Sequence, residues 1–216
     1  MPTPSRHRVQ RIKARADYDR DSIHAILDAG QVAHVGFCVG PQPFVIPMLY
    51  VRDGETLLLH GSLASRLLKA MATQIEACVS VTLLDGIVLA RSHFHHSMNY
   101  RSVVAFGRAR PIVAAAAKAA GLLHLVETLV PGRSTESRMP DRNELAATRL
   151  LRFTIDDASA KIRSGGPKDD PADLDLPYWA GVIPQRTVFG KPEATDGVGS
   201  AAPPESVRRL LARNGR

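Results

Sequence analysis

No apolar run in the chain approaches the ~18 residues that a membrane-spanning helix demands, although the apolar share of 44% is ordinary for a soluble domain. A membrane crossing is therefore not expected. Cysteine is scarce. Cys38 and Cys78 both sit inside apolar strand-like runs and read as buried reduced thiols, and a chain of 216 residues can build a core without disulfides. The first fifteen residues, MPTPSRHRVQRIKAR, have no acid, no apolar segment behind them and no small-residue cleavage site. They read as a basic flexible arm rather than a secretory signal, with a cytoplasmic location as the expectation. G-x-G-x-x-G and Walker-type loops, H-E-x-x-H and C-x-x-C pairs, and a strand-turn-helix elbow presenting a serine are absent too. Their absence removes the usual signatures of a dinucleotide fold, a zinc site and covalent catalysis.

The net charge of +7 raises the question of a nucleic-acid partner. Residues 1–15 carry Arg6, Arg8, Arg11, Lys13 and Arg15 without an acid, and residues 191–216 carry five basic and three acidic side chains. That leaves 18 of each sign between residues 16 and 190. A face built for DNA would concentrate cations on the folded part, so nucleic acid is not the expected partner.

What the chain does contain is mostly strand. After a short amphipathic helix in DYDRDSIHAILDAG (Asp17 to Gly30), the runs Val32 to Val39, Pro43 to Val51 and Glu55 to Gly61 predict three consecutive antiparallel strands, the last two joined by the turn dipeptide Asp53-Gly54. Ser62 to Thr73 reads as a helix capped by Ser62 or Ser65. EACVSVTLL and GIVLARSHF, split at Asp85-Gly86, predict a second hairpin, and YRSVVAFGRARPI another strand. An alanine-rich helix from Ala114 to Val130 should pack on the sheet through its Leu and Val positions and stop at Pro131-Gly132. A helical turn in DRNELAAT, a strand from Arg149 to Asp156, a polar loop and YWAGVIP follow. The domain is expected to span residues 16–189, with 190–216 a flexible tail. Strands joined by short turns with a few interspersed helices give a mainly β, α+β fold: an antiparallel barrel with helices outside.

Two stretches hold the chemistry. RSHFHHSMNYRS places His93 and His95 on one face of a strand and His96 on the other, which reads as a strand and bend carrying polar side chains to a pocket or interface rather than as a metal site. In LHGSLASRLLKAM a strand ends in a small-residue turn before a helix opening with Ser65 and Arg66. Free amides, hydroxyls and a guanidinium there would suit a phosphomonoester, though such a turn also serves simply as a cap.

Taken in order, HVGFCVGPQPFVIPMLYVRDGETLLLHGSLASRLLKAM, DGIVLARSHFHHSMNYRSVVAFGRA, SAKIRSGGPKDD and WAGVIP resemble the flavin-nucleotide-binding branch of the pyridoxamine 5'-phosphate oxidase-like split barrels, which includes the nitroimidazole-resistance proteins. The resemblance runs from about Asp17 to Pro184. It implies an antiparallel split β-barrel forming a homodimer, with FMN at the subunit interface. Val45, Ile46, Pro47, Met48 and Tyr50 would run along the isoalloxazine, and His60, Gly61, Ser62, Ser65 and Arg66 would surround the ribityl phosphate. Asn99, Tyr100 and Arg101 would approach from the partner, with Trp179 beside the ring and Lys161 and Arg163 as further phosphate candidates. The implied activity is an FMN-dependent oxidoreductase acting on a small molecule, with His60 as a proton donor near the flavin; the alternative is a non-catalytic protein that binds or senses flavin or haem. The oxidase proper has two basic residues on the strand that here reads VIPMLY and another where this chain has Leu67, and its substrate arginines are not recognisable. Pyridoxamine phosphate oxidation is therefore not inferred.

Overall fold

A computed structural model of the chain describes residues 6–197 and 202–215. After the two-residue β1 (Ala16–Asp17) comes α1 (Arg20–Ala29). Asp19 caps this helix by accepting the Ser22 amide at 3.0 Å, and Ile23, Ile26 and Leu27 form its buried stripe. Then follow β2 (Val32–Val39), β3 (Gln42–Asp53), β4 (Thr56–Ser62), α2 (Arg66–Met71), β5 (Glu76–Leu89), β6 (Ser97–Pro111), α3 (Ala115–Leu129), α4 (Arg142–Ala147), β7 (Thr148–Arg163), β8 (Gly181–Pro184) and α5 (Glu205–Leu211).

Every strand pairing is antiparallel. The order β7-β4-β3-β2-β5-β6 closes into a barrel because β6 also pairs with β7, while β8 lies along the far end of β5. The inward face of each strand supplies the main core, with Val35, Tyr50, Leu57, Leu59, Val79, Val103, Leu151 and Phe153 joined by the α1 stripe and by Leu67, Leu68 and Met71 of α2. A second, smaller core lies outside the barrel, where Val51, Leu58 and Leu150 meet Leu125 of α3. The expected packing of the alanine-rich helix on the sheet is this layer. Among the described residues no helix is long and apolar enough to cross a membrane.

Tyr50 joins the barrel to α1. Its side chain is 1% exposed, and its hydroxyl donates to the Leu27 carbonyl at 2.5 Å. Burial, with the Asp28 charge as a smaller cause, raises the phenol well above its ordinary range. Tyr50→Phe leaves that carbonyl unpaired and is expected to cost about 1–3 kcal/mol in chemical unfolding. An unchanged denaturation midpoint would show that the bond contributes nothing.

Several expectations are corrected. Asp85-Gly86 is not a hairpin turn: β5 runs through it unbroken, and the pairing with β6 shifts register between Leu84 and Gly86. The dipeptide forms a bulge because β6 and β8 hold the strand on both sides. His93–His95 is a 3-10 turn rather than strand, with Ser92 accepting the Phe94 amide, so the alternating-face reading of these histidines fails. Cys38 is exposed and Cys78 half-buried, since β2 turns Cys38 to its outer face. From residue 6 the basic arm makes contacts: Arg6 bonds Asp157 at 2.9 Å, and the Val9 amide donates to the Tyr18 hydroxyl at 3.0 Å. The tail is helical at Glu205–Leu211 and buries Ser206. The expectations for residues 1–5, 198–201 and 216 fall outside the described residues.

Candidate functional site

The barrel is split between β3 and β4. The two strands pair only from Tyr50↔Leu59 to Asp53↔Thr56; beyond that β3 continues along β2 from Leu49 back to Gln42, while β4 continues along β7 from His60 to Ser62. The next pair in register would be Leu49 with His60, and it does not form. Both residues follow Val51 and Leu58 onto the outer face beneath α3, and both line a cavity of about 490 Å³ at the vertex of the split.

The cavity is mostly apolar. Its other walls are Leu122, Leu125, Val126 and Leu129 of α3 and the stretch carrying Ser134, Ser137, Arg138, Met139 and Pro140. His60 lines it as well, and its Nδ1 is buried with no hydrogen-bond partner among the described residues. A buried nitrogen that no protein group pairs with costs free energy, which a bound partner would relieve. Burial also pushes the imidazole below its ordinary value of 6.5, keeping it in the neutral form that ligates metals.

Arg138 and Glu144 form the polar rim, paired at 2.6 and 2.7 Å. Glu144 also closes the capping box of α4 by accepting the Asp141 amide. The Arg138 hydrogen bond, followed by the Asp141 amide, holds the Glu144 carboxyl down at about 2. Because the folded value lies below the ordinary 4.5, this clasp is complete above pH 4.5 and is lost only as pH falls through about 2. An NMR titration of Glu144 is expected to show that acidic midpoint; a value near 4.5 would mean the rim is open.

On the other arm of the split, the edge of β3 from Pro43 to Leu49 has no strand partner opposite β2 among the described residues. Val45 is 67% exposed on it, Ile46 and Met48 turn inward, and the Tyr50 side chain is committed to the core and withdrawn from any ligand. Past the end of β4, Ser62 Oγ accepts the Ala64 amide and Ser65 Oγ accepts the Leu68 amide, so each hydroxyl keeps a proton to donate. The first-turn amides of Arg66 and Leu67 have no acceptor among the described residues. Arg66 is exposed without a carboxylate partner there, its guanidinium 4.8 Å over the Phe44 ring. Gly61 lies beside them against Leu68.

The remaining sequence candidates lie elsewhere. Asn99, Tyr100 and Arg101 are on β6, three strands from β3 in either direction around the barrel, so they do not meet the split of their own chain. Arg101 is bound to Asp85 at 2.7 and 2.9 Å, and Asn99 to the Gly165 carbonyl at 3.1 Å and to Arg163. Arg163 is 7% exposed and spends its donors on Asn99 and the Gly165 and Gly166 carbonyls, which removes it as a phosphate ligand. Lys161 faces Ser102 and Ala16 in the sheet register. Trp179 is 64% exposed and lies over Gly181. In the histidine stretch, His96 Nδ1 accepts the Ala90 amide at 2.9 Å and His95 Nε2 lies 3.2 Å from Asp170. Among the described residues no group of three or more His, Cys, Asp or Glu side chains is placed to hold a metal ion.

Sequence reading did not find the α3 wall or the 134–140 stretch. The Leu122, Leu125, Val126, Leu129 stripe was visible at helical spacing, but it carries no sign that it covers a cavity as well as a sheet.

Comparison with known proteins agrees with this architecture. The flavocytochrome Anf3 of Azotobacter vinelandii is 40% identical, with a TM-score of 0.87 over 94% of each chain. A FAD- and haem-binding protein of Mycobacterium smegmatis is 38% identical, with a TM-score of 0.86 over 91% of this chain and 97% of that one. A candidate 5-nitroimidazole resistance protein of Bacteroides thetaiotaomicron shares the fold at 19% identity and a TM-score of 0.55, covering 68% of this chain and 86% of its own. No curated protein matches the sequence. The family model described as pyridoxamine 5'-phosphate oxidase matches residues 19–162, from the cap of α1 to the end of the barrel-closing strand, and the chain belongs to that family.

Proposed function

We propose that the chain binds a flavin nucleotide along the open edge of β3 and a haem in the cavity at the vertex of the split, and that it serves as an electron-transferring oxidoreductase. The observation that carries this reading is His60, an imidazole that lines an apolar cavity and whose buried Nδ1 has no hydrogen-bond partner. Support comes from the flavocytochrome at 40% identity and the FAD- and haem-binding protein at 38%.

The residues fit both groups. For the flavin, the unpaired β3 edge offers backbone donors and acceptors to a planar polar ring, and the hydroxyls of Ser62 and Ser65, the amides of Arg66 and Leu67 and the Arg66 guanidinium offer a cradle to phosphate oxygens. FMN is the expectation from sequence; the FAD of the Mycobacterium smegmatis relative makes the dinucleotide the first form to test. For the haem, neutral His60 would hold the iron, the α3 stripe and Met139 would exclude water, and Arg138 at the rim would pair with its carboxylates. When bound, the flavin exchanges electrons singly or in pairs and the haem singly. The protein positions them and sets their surroundings.

A homodimer completes the site in this reading. Met98, Ile87 and Ile183 are successive partners across β6, β5 and β8 and leave an exposed apolar row, with Phe94 88% exposed nearby in sequence. Covering that row with a second copy would give Tyr100 and Trp179 a route to a neighbour's β3 edge, while Asn99 stays bound to Gly165 and Arg163 in its own chain.

An absorbance spectrum of the purified protein, with FAD, FMN and haemin added in turn, tests the reading. Flavin absorption together with a Soret band is expected, and a chain that takes up neither cofactor refutes it. If both bind but no added reductant delivers electrons through them to an acceptor, the oxidoreductase part falls and cofactor binding alone stands.

A further inference from the structure

We propose that the C-terminal helix is a latch on the wall of the His60 cavity, with Glu136 and Ser206 as its two halves and ligand exchange as the property it controls. Ser206 is 1% exposed, in a segment whose other described residues are exposed or half-buried. Its amide donates to Glu136 Oε1 at 3.2 Å and its hydroxyl donates to Glu136 Oε2, so one carboxylate takes two charge-assisted bonds from α5. Glu136 lies within the stretch that gives the cavity Ser134, Ser137, Arg138, Met139 and Pro140.

Three carboxylates hold that stretch. Glu127 of α3 accepts the Gly132 and Ser134 amides, each at 2.8 Å, and fixes its start; Glu144 of α4 clasps Arg138 and fixes its end. Both anchors belong to helices lying on the barrel. The middle anchor, Glu136, is tied instead to a helix reached through a Pro- and Gly-rich connection. Releasing α5 therefore frees the centre of the wall without disturbing the barrel or the His60 strand. Between the two fixed ends, Ser137 is the cavity-lining side chain next to the anchor that is let go.

The inference rests on the cavity being a ligand site, and the experiment separates the two claims. In the full chain, Ser206→Ala, Glu136→Gln and the conservative Ser206→Thr are compared with the parent by haem transfer to excess apomyoglobin and by amide hydrogen exchange over residues 132–140. Ser206→Ala and Glu136→Gln are expected to speed haem loss about 10-fold or more, the factor that follows from losing a hydrogen bond to a charged group, and to speed exchange in the loop. Ser206→Thr should restore both. Circular dichroism melts show whether the barrel is intact. Unchanged loop exchange in Ser206→Ala overturns the latch, as does faster exchange with an unchanged rate of haem loss. Should the parent bind no haem, the site reading fails, and the latch is then judged by loop exchange and by the entry rate of 8-anilinonaphthalene-1-sulfonate, where equal rates in parent and variant overturn it.

Discussion

Replacing His60 with alanine is expected to abolish the Soret band of the haem-loaded protein while flavin absorption survives. Among the described residues the imidazole is the only side chain lining the cavity that carries a nitrogen able to coordinate iron, and no hydrogen-bond partner holds its Nδ1. Loss of a haem ligand should lower affinity on the order of 100-fold or more, since changes to groups that merely orient a ligand already cost up to that. The proposed flavin cradle would rely on backbone groups, two serines and Arg66, none of which the change removes. Free imidazole should restore the band by filling the space left. A stability measurement separates this role from a structural one. Because His60 carries an unsatisfied buried nitrogen, His60→Leu should raise the melting temperature of the ligand-free chain, by up to about 1–3 kcal/mol in free energy. A Soret band of unaltered position and intensity in His60→Ala would refute the assignment.

The second large effect is expected at Gly107. It is buried at the register shift where β6 meets β7, and a β-carbon there would sit 1.8 Å from the Thr154 carbonyl oxygen and 3.1 Å from the Phe153 ring. A side chain in the way can change rotamer, but a backbone oxygen in a strand ladder moves only if the ladder does. Gly107→Ala should therefore cost about 3 kcal/mol or more, lowering the melting temperature by roughly 6–12 °C for a chain of this size. Gly166→Ala, with nothing within 4 Å of its added carbon, is the control and should melt within about 0.5 kcal/mol of the parent. Equal melting of the two variants would mean the seam between β6 and β7 is slack.

Much of the barrel was legible because its strands are local neighbours with the right period. Val32 to Val39 was read to the residue, and Asp53-Gly54 turned the chain as its composition demanded, Gly54 taking a φ of 60°. The identical dipeptide at Asp85-Gly86 did the opposite. Its local signal is the same, but β6 and β8 pair across it and the Ile183 carbonyl fills the space a β-carbon at Gly86 would need, so tertiary pairing overrode turn chemistry. The histidine stretch failed for a related reason: Arg91 and His95 are held by Asp169 and Asp170, carboxylates that no local pattern connects to them. Of the candidate site, the turn after β4 was singled out by its residue types and the β3 strand only through the family resemblance. The cavity could not be read, because its defining event is a strand pair that fails to form, Leu49 with His60, under walls contributed by residues far along the chain.

The strand β7 zips to β4 on one side and to β6 on the other, so it is the stave that closes the barrel. During synthesis both of those neighbours leave the ribosome long before it does. Until residue 163 has emerged, the nascent chain therefore exposes two raw sheet margins with the apolar interior open between them. Contacts of such long sequence separation form late, which makes this interval the one in which the polypeptide most needs chaperone cover.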